Sequence, residues 1–296
     1  MAVLATWFVP GAGHLLLGRA GLALAAFLVV EGLFALGWLL GDGRAFEFLD
    51  PELRGAFATL LSPEVGNLGG MIAQLKLRGF GDGLPTPFPD GIHLASMLAG
   101  ASGLVNACVM VHVHLAARAP QPAAKQASPR HPALLVLCGW LVPGLGHALQ
   151  GRIRRAGIVF ALLIGLFVLG TALCDGANLS RERHFYYWAG QFLLGLPAIL
   201  TELASGHPPL TSQPAFADVG LLFGCMAGLL NVLALLDVAG VGEKRWLGEP
   251  DGVGGVDDAG QDRPVRPGGT DGVSAPAGSK PAGNEPEASS EPEVVT

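Results

Sequence analysis

The 37 residues from Trp7 to Gly43 recur at Trp140 to Gly176 with a constant offset of 133 and no gap, and 19 of the 37 aligned positions are identical. A chain with that internal repeat has to fold as two copies of one module. The shared skeleton is V-P-G-x-G-H, a G-R pair beginning four positions after the His, and an apolar run closing in G-L-F-x-L-G and D-G. A helix that crosses a bilayer needs roughly 20 mostly apolar residues. Four stretches meet that need: about 20–40, 92–116, 156–174 and 216–240. Half of the residues are apolar, 14% are charged and the mean hydropathy is +0.47, outside the balance of a soluble domain. The expected fold is therefore all-α, a polytopic helical membrane protein. It comprises a first module at 1–117, a basic linker at 118–131, a second module at 132–240 and a tail at 241–296.

Charge is placed unevenly along this plan. Residues 241–296 contain 11 acidic and 5 basic side chains, a net of -6, which leaves 13 of each sign in residues 1–240. The acidic balance thus belongs to the tail and gives no support to a nucleic-acid partner. Rich in Gly, Pro, Ser, Asp and Glu, the tail buries too little apolar surface to offset the entropy of ordering, and disorder is expected. The four cysteines, Cys108, Cys138, Cys174 and Cys225, sit in or beside apolar runs without C-x-x-C spacing. They read as small buried hydrophobes, neither disulfide framework nor zinc site. No Lys or Arg precedes the apolar stretch beginning at Ala2, so a secretory signal is not expected and the N-terminus is expected to be retained.

Orientation follows from the basic flanks. Arg118, Lys125 and Arg130 in the linker, and Arg152, Arg154 and Arg155 after the second G-R, place both segments on the cytoplasmic side. Residues 132–150 lie between these two segments, so both their ends are on one side and a simple crossing is excluded. Interrupted by Gly139, Pro143, Gly144 and Gly146, this stretch reads as a re-entrant or interfacial helix-break-helix, and residues 1–18 as its counterpart. A short tilted span is the alternative. Residues 41–91, with 7 acidic and 4 basic side chains, suit the extracytoplasmic side. Their counterpart carries an apolar piece, Phe185 to Ala204, headed by Phe185, Tyr186, Tyr187 and Trp188, an aromatic cluster that marks an interfacial belt. Four full spans and up to four partial ones result, both copies sharing one orientation.

The second halves of the copies correspond more loosely. Gly103-Leu104-Val105-Asn106 aligns with Gly228-Leu229-Leu230-Asn231, each after a small-x-x-x-Gly pattern that lets helix backbones approach. This second alignment has an offset of 125, which also sets His112 opposite Asp237. In the motif itself, Pro10, Gly11, Gly13 and His14 match Pro143, Gly144, Gly146 and His147 and break the helix by design. The histidines there cap freed carbonyls; the sharper reading sets His14 and His147 face to face near a pseudo-twofold axis, holding an ion or headgroup. Arg19 and Arg152 read as side chains that snorkel to phosphates, with selection of anionic headgroups as the sharper variant. Glu31, mid-span and opposite Ile164, is either a hydrogen-bonded carboxyl or part of a functional pathway. Asn106 and Asn231 read as helix glue. His112 and His114 point apart on a helix and cannot chelate one metal together. No nucleophile elbow, phosphate loop, H-E-x-x-H or dinucleotide fingerprint is found, and no cofactor is expected.

The run W-L-V-P-G-L-G-H-x-x-x-G-R at Trp140 to Arg152 continues into Gly165-Leu166-Phe167, Gln191 to Ala198, and Met226 to Asn231 with Asp237. In this run the chain resembles a bacterial membrane family of unknown function. The resemblance covers nearly all of the second copy and implies a multi-pass inner-membrane protein without naming an activity. Copy one departs from it, lacking Q-F-x-x-G-L-P-A and carrying His112 and Glu31. Three functions stay in play: a non-enzymatic scaffold or assembly component with a cytoplasmic tail, a small transporter or channel with a site between the copies, and a membrane-embedded enzyme acting on lipid. The second expects Glu31, His14 and His147 to converge on one cavity. Partners are the lipid bilayer, anionic headgroups and an undefined protein.

Overall fold

A computed structural model of the chain describes residues 1–81, 87–118, 130–206 and 214–250. Among them every regular element is helical. The first copy contains α1 (Ala2–Phe8), α2 (Ala12–Leu16), α3 (Ala20–Leu40), α4 (Ala56–Leu61), α5 (Leu68–Leu77) and α6 (Ile92–Arg118). The second contains α7 (Pro132–Leu141), α8 (Leu145–Leu149), α9 (Ile153–Leu173), α10 (Phe185–Phe192), α11 (Leu196–Ser205) and α12 (Ala217–Leu247). Helices α3, α6, α9 and α12 are long and apolar enough to cross a membrane. At about 1.5 Å per residue, even the shortest of them reaches roughly 30 Å. Leu24, Leu39, Leu162 and Leu233 on these helices are each more than half exposed, as side chains facing lipid tails should be.

The remaining helices form hairpins that enter and leave on one side. In the first, Val9 and Val142 are extended (φ -136° and -134°), and Gly11 and Gly144 take left-handed values (φ 83° and 81°). A Cβ at Gly11 would lie 2.2 Å from the carbonyl oxygen of Ala23, and one at Gly144 2.4 Å from that of Ala156. Only glycine fits this reversal, which tucks α2 and α8 against the first turn of the following span. Depth is read from the neighbours. Thr6 O accepts from Asn106 Nδ2 in the middle of α6 at 2.9 Å, whereas Gly13 lies against Val113, two turns nearer the basic end. The hairpin therefore dips to mid-membrane and returns, as the flanking charges require, and no short tilted span forms.

A second hairpin enters from the opposite, far end. In copy two, α10 descends until Leu193 O accepts from Asn231 Nδ2 at 3.0 Å, and α11 climbs back to Asp175 at the end of α9. Copy one builds the same hairpin from α4, the 3-10 turn at Pro63–Gly66 and α5, without the Q-F-x-x-G-L-P-A sequence. Trp7 Nε1 donates to Val65 O at 2.7 Å and Trp140 Nε1 to Phe192 O at 3.4 Å; Asn106 Nδ2 donates to Gly66 O at 2.9 Å as Asn231 does to Leu193 O. Residues 41–91 are thus more than a surface segment. Each copy has two full spans and two hairpins meeting at mid-membrane, and the copies run parallel.

One boundary moves, and one cluster has a different setting from the one expected. Helix α12 runs to Leu247, so the first seven residues assigned to the tail are helical. Arg245 Nη1 donates to Gln150 O at 2.9 Å, Glu243 pairs with Arg118, and Trp246 packs edge-on to His131 with centroids 4.6 Å apart. Residues 251–296, where disorder was expected, and 119–129 of the linker lie outside the described residues. The cluster at 185–188 is also not a belt. Phe185 and Trp188 are buried in the core with Phe46, Met97, Trp140 and Phe192, and only Tyr186 and Tyr187 face outward.

Candidate functional site

The motif histidine of each copy is aimed at its own last helix. His14 Nε2 meets His112 Nδ1 at 2.6 Å, one ring donating to the other, and His147 Nε2 meets Asp237 Oδ2 at 3.1 Å. Both bonds form because the left-handed glycine returns α2 and α8 alongside α6 and α12 at the position that the repeat set opposite. His14 and His147 are each 3% exposed and each bonded through Nε2 inside its own copy, so they do not face one another across an axis.

Around this shared geometry the chemistry differs. In copy two, Asp237 Oδ2 collects His147, Arg152 Nη2 at 2.5 Å and Arg155 Nη1 at 3.8 Å, while Arg152 Nη1 donates to Gln150 Oε1 at 3.2 Å. Arg152 is 3% exposed; it does not snorkel to headgroups, because a carboxylate 85 residues on reaches it first. In copy one the acid is replaced by His112, and Arg19 stays half-buried beside the two rings. A third ring joins them. His131 stacks 4.3 Å from His112, and its Nδ1 accepts from Ala133 N at 3.1 Å, capping α7. Burial first, and then His112, Arg19 and His14, push the His131 pKa down to about 4, so this ring is neutral at physiological pH. Among the described residues no group of three or more His, Cys, Asp or Glu is arranged to hold a metal ion.

Glu31 lies apart from this. Twelve residues beyond Arg19 on α3, it is about 18 Å further along the axis, and its polar neighbour is the Asn67 side chain beside the mid-membrane junction. The convergence of Glu31, His14 and His147 that a transport site would require is not found. Asn106 and Asn231 do act as glue, each fully buried and bridging to the hairpins, but their Oδ1 atoms have no hydrogen-bond partner in either copy.

The most heavily buried ion pair was missed from the sequence. Arg181 Nη2 lies 2.9 Å from Glu64 Oε1, with side chains 1% and 0% exposed, and joins copy two to copy one. Arg181 Nη1 also donates to Ser96 O at 3.2 Å, and the guanidinium sits 4.6 Å from the Trp188 ring centroid. Trp188 Nε1 in turn donates to Glu202 Oε2 at 2.6 Å, and Asp50 N donates to Glu182 O at 2.9 Å. Arg181 stands in a run of charged residues that reads as an exposed loop; only the apolar Phe185 to Trp188 after it hints at burial.

These features define a duplicated helical membrane protein whose two copies share one backbone frame and differ in the side chains mounted on it. A family model matches residues 1–126 and again 134–249. The chain belongs to that family, a family of unknown function designated DUF6677, here present as a tandem pair. No curated protein and no solved structure matches it.

Proposed function

We propose that this protein is a rigid, non-enzymatic membrane scaffold or assembly component, seated in a bacterial inner membrane with its tail in the cytoplasm. The observation that supports it is the Arg181–Glu64 pair, fully buried between the copies. Alternating access works by rocking one repeat against the other. Here such rocking would uncover or split a charge pair whose separation costs several kcal/mol. Two copies fastened in this way suit a fixed platform. The exposed Arg155 and Arg118 at the basic end are placed to meet anionic headgroups there.

A small transporter or channel is the second reading. It is favoured by the opposed hairpins meeting at mid-membrane, with Glu31 and Asn67 beside that junction and an unpaired amide oxygen on Asn106 and on Asn231. Spin labels on α3 and α9 separate the two. In proteoliposomes the scaffold gives one narrow distance distribution, and native membranes run through non-denaturing gels place the 30.4 kDa chain in a larger assembly that disperses when the chain is deleted. Two exchanging distances, or migration as a lone chain, would overturn the scaffold. A reporter fused after Thr296 tests orientation, the cytoplasmic signal being expected.

A further inference from the structure

The two copies share the order of their helices and the left-handed turn at Asp42 and Asp175 at their far ends, and one place there differs between them. In copy one the Trp38 indole lies across Gly43, so close that a Cβ on that glycine would sit 2.8 Å from Cζ2. Beside it, Arg78 at the end of α5 reaches Asp42 Oδ2 at 3.3 Å. An aromatic plate and a cation thus occupy the angle between the end of α3 and the returning hairpin. In copy two the repeat replaces Trp38 by Thr171, and the returning helix α11 ends in Ser205 and Gly206 instead of an arginine. Asp175 remains in the place of Asp42, with the same left-handed φ of about 50°.

What is left is an open groove of about 750 Å³ between α9 and α11. Phe167, Val168 and Leu200 form its apolar flank, and Val168 and Leu200 are 57% and 58% exposed where the surrounding medium is lipid. Asp175 lies at its outer end, exposed and without an ion pair among the described residues. The Thr201 hydroxyl donates to Pro197 O at 2.7 Å, so its oxygen is available to accept.

We propose that this groove seats one amine-headed phospholipid, its acyl chain taking the place that Trp38 fills in copy one and its ammonium the place of the Arg78 guanidinium. The first copy supplies the template for the ligand, an apolar body bearing a cation at the membrane surface. A bilayer offers that combination as an ethanolamine lipid. The polar end presents acceptors, the Asp175 carboxylate and the Thr201 oxygen, which suit a head with N–H donors. They do not suit a quaternary choline, which has no N–H, or a glycerol head, which carries no cation. The side opening admits a lipid chain directly from the bilayer without passage through water.

Native mass spectrometry of the full chain, extracted from vesicles of equal phosphatidylethanolamine and phosphatidylglycerol with matched chains, tests this. One ethanolamine lipid per chain is expected to be retained, at least tenfold over the glycerol lipid. Asp175→Asn, which keeps the left-handed turn, should erase that preference, and Thr171→Trp should remove the bound lipid. The mirrored change in copy one, Trp38→Thr with Arg78→Ser, should raise the stoichiometry to two, which a merely unfolded variant cannot do. Equal retention of both lipids, an unchanged single lipid in the mirrored variant, or a co-purifying polypeptide held through the same groove would overturn the proposal.

Discussion

Removing Arg181 or Glu64 singly should unfold the protein far more readily than removing both. The two side chains are 1% and 0% exposed and 2.9 Å apart, so water cannot take the place of a missing partner. Breaking such a pair costs about 3–5 kcal/mol, because the surviving charge stays buried. For Glu64→Leu the survivor is a guanidinium, which cannot shed its charge and keeps Ser96 O and the faces of Trp188 and Phe185. For Arg181→Met the survivor is a carboxylate that keeps the Ser62 hydroxyl as a donor. Glu64→Leu is therefore the more damaging change, at the upper end of the range. The double variant replaces the pair by apolar side chains and should return to within about 2 kcal/mol of the parent, on either side of it.

The assay is equilibrium unfolding in mixed micelles as the SDS fraction is raised, followed by far-UV circular dichroism for all four members of the cycle. A coupling of 2 kcal/mol or more between the two positions is expected. Additive losses, or single variants each within about 1 kcal/mol of the parent, would refute the reasoning and remove the main support for a rigid platform.

Three further outcomes are expected. Gly11→Ala and Gly144→Ala each force a Cβ into a backbone oxygen at 2.2 and 2.4 Å from a left-handed residue, and each should lower stability by at least about 2 kcal/mol in the same micelle titration; unchanged midpoints would show that the reversal is dispensable. Asp237→Asn strips the counterion from an arginine that is 3% exposed, but the carboxylate itself is 43% exposed, and the change should cost about 1.5–3 kcal/mol, whereas His112→Ala at the equivalent place should cost about 1 kcal/mol; equal losses would mean that the two sites are held alike. The His131 pKa is held down near 4 in the fold, so the unfolded chain takes up the proton first, near 6.5. This contribution is complete above pH 6.5 and is lost as the pH falls towards 4, when a protonated Nδ1 also ceases to cap α7. His131→Asn keeps a cap acceptor and should flatten that slope in melting curves recorded from pH 7 to pH 4; an unchanged slope would assign it elsewhere.

The repeat, the four spans and the first hairpin were legible because each rests on local pattern or on charge at known ends. Basic residues on both sides of 132–150 left that segment no route across, and the backbone obeys. The equivalence of His112 and Asp237 was legible too, since a constant offset carries depth with it. Other features lie outside what a linear pattern encodes. Arg152 reads as an interfacial anchor until Asp237, 85 positions away, is seen to reach it, and Arg181 reads as a loop charge until Glu64 appears 117 positions upstream. The second hairpin of copy one escaped notice because its contacts to α6 are made by backbone carbonyls, Val65 O and Gly66 O, which any sequence can supply.

That last point also sorts the side chains by what they are for. Where both copies make the same contact, Trp7 with Trp140 and Asn106 with Asn231, the contact builds the frame, since the module cannot place its hairpins without it. Where the copies differ and the frame persists, the frame does not require either version. Glu31 against Ile164, His112 against Asp237 and Trp38 against Thr171 are all of this kind, and none of them alters the path of the backbone. The His112 exchange changes what the basic end holds: a carboxylate fixes Arg152 in place, whereas a cluster of three rings stands beside Arg19. The Trp38 exchange acts at the other end, where removing a plate opens a groove to lipid. At each end, then, the two copies present different side chains on one backbone frame.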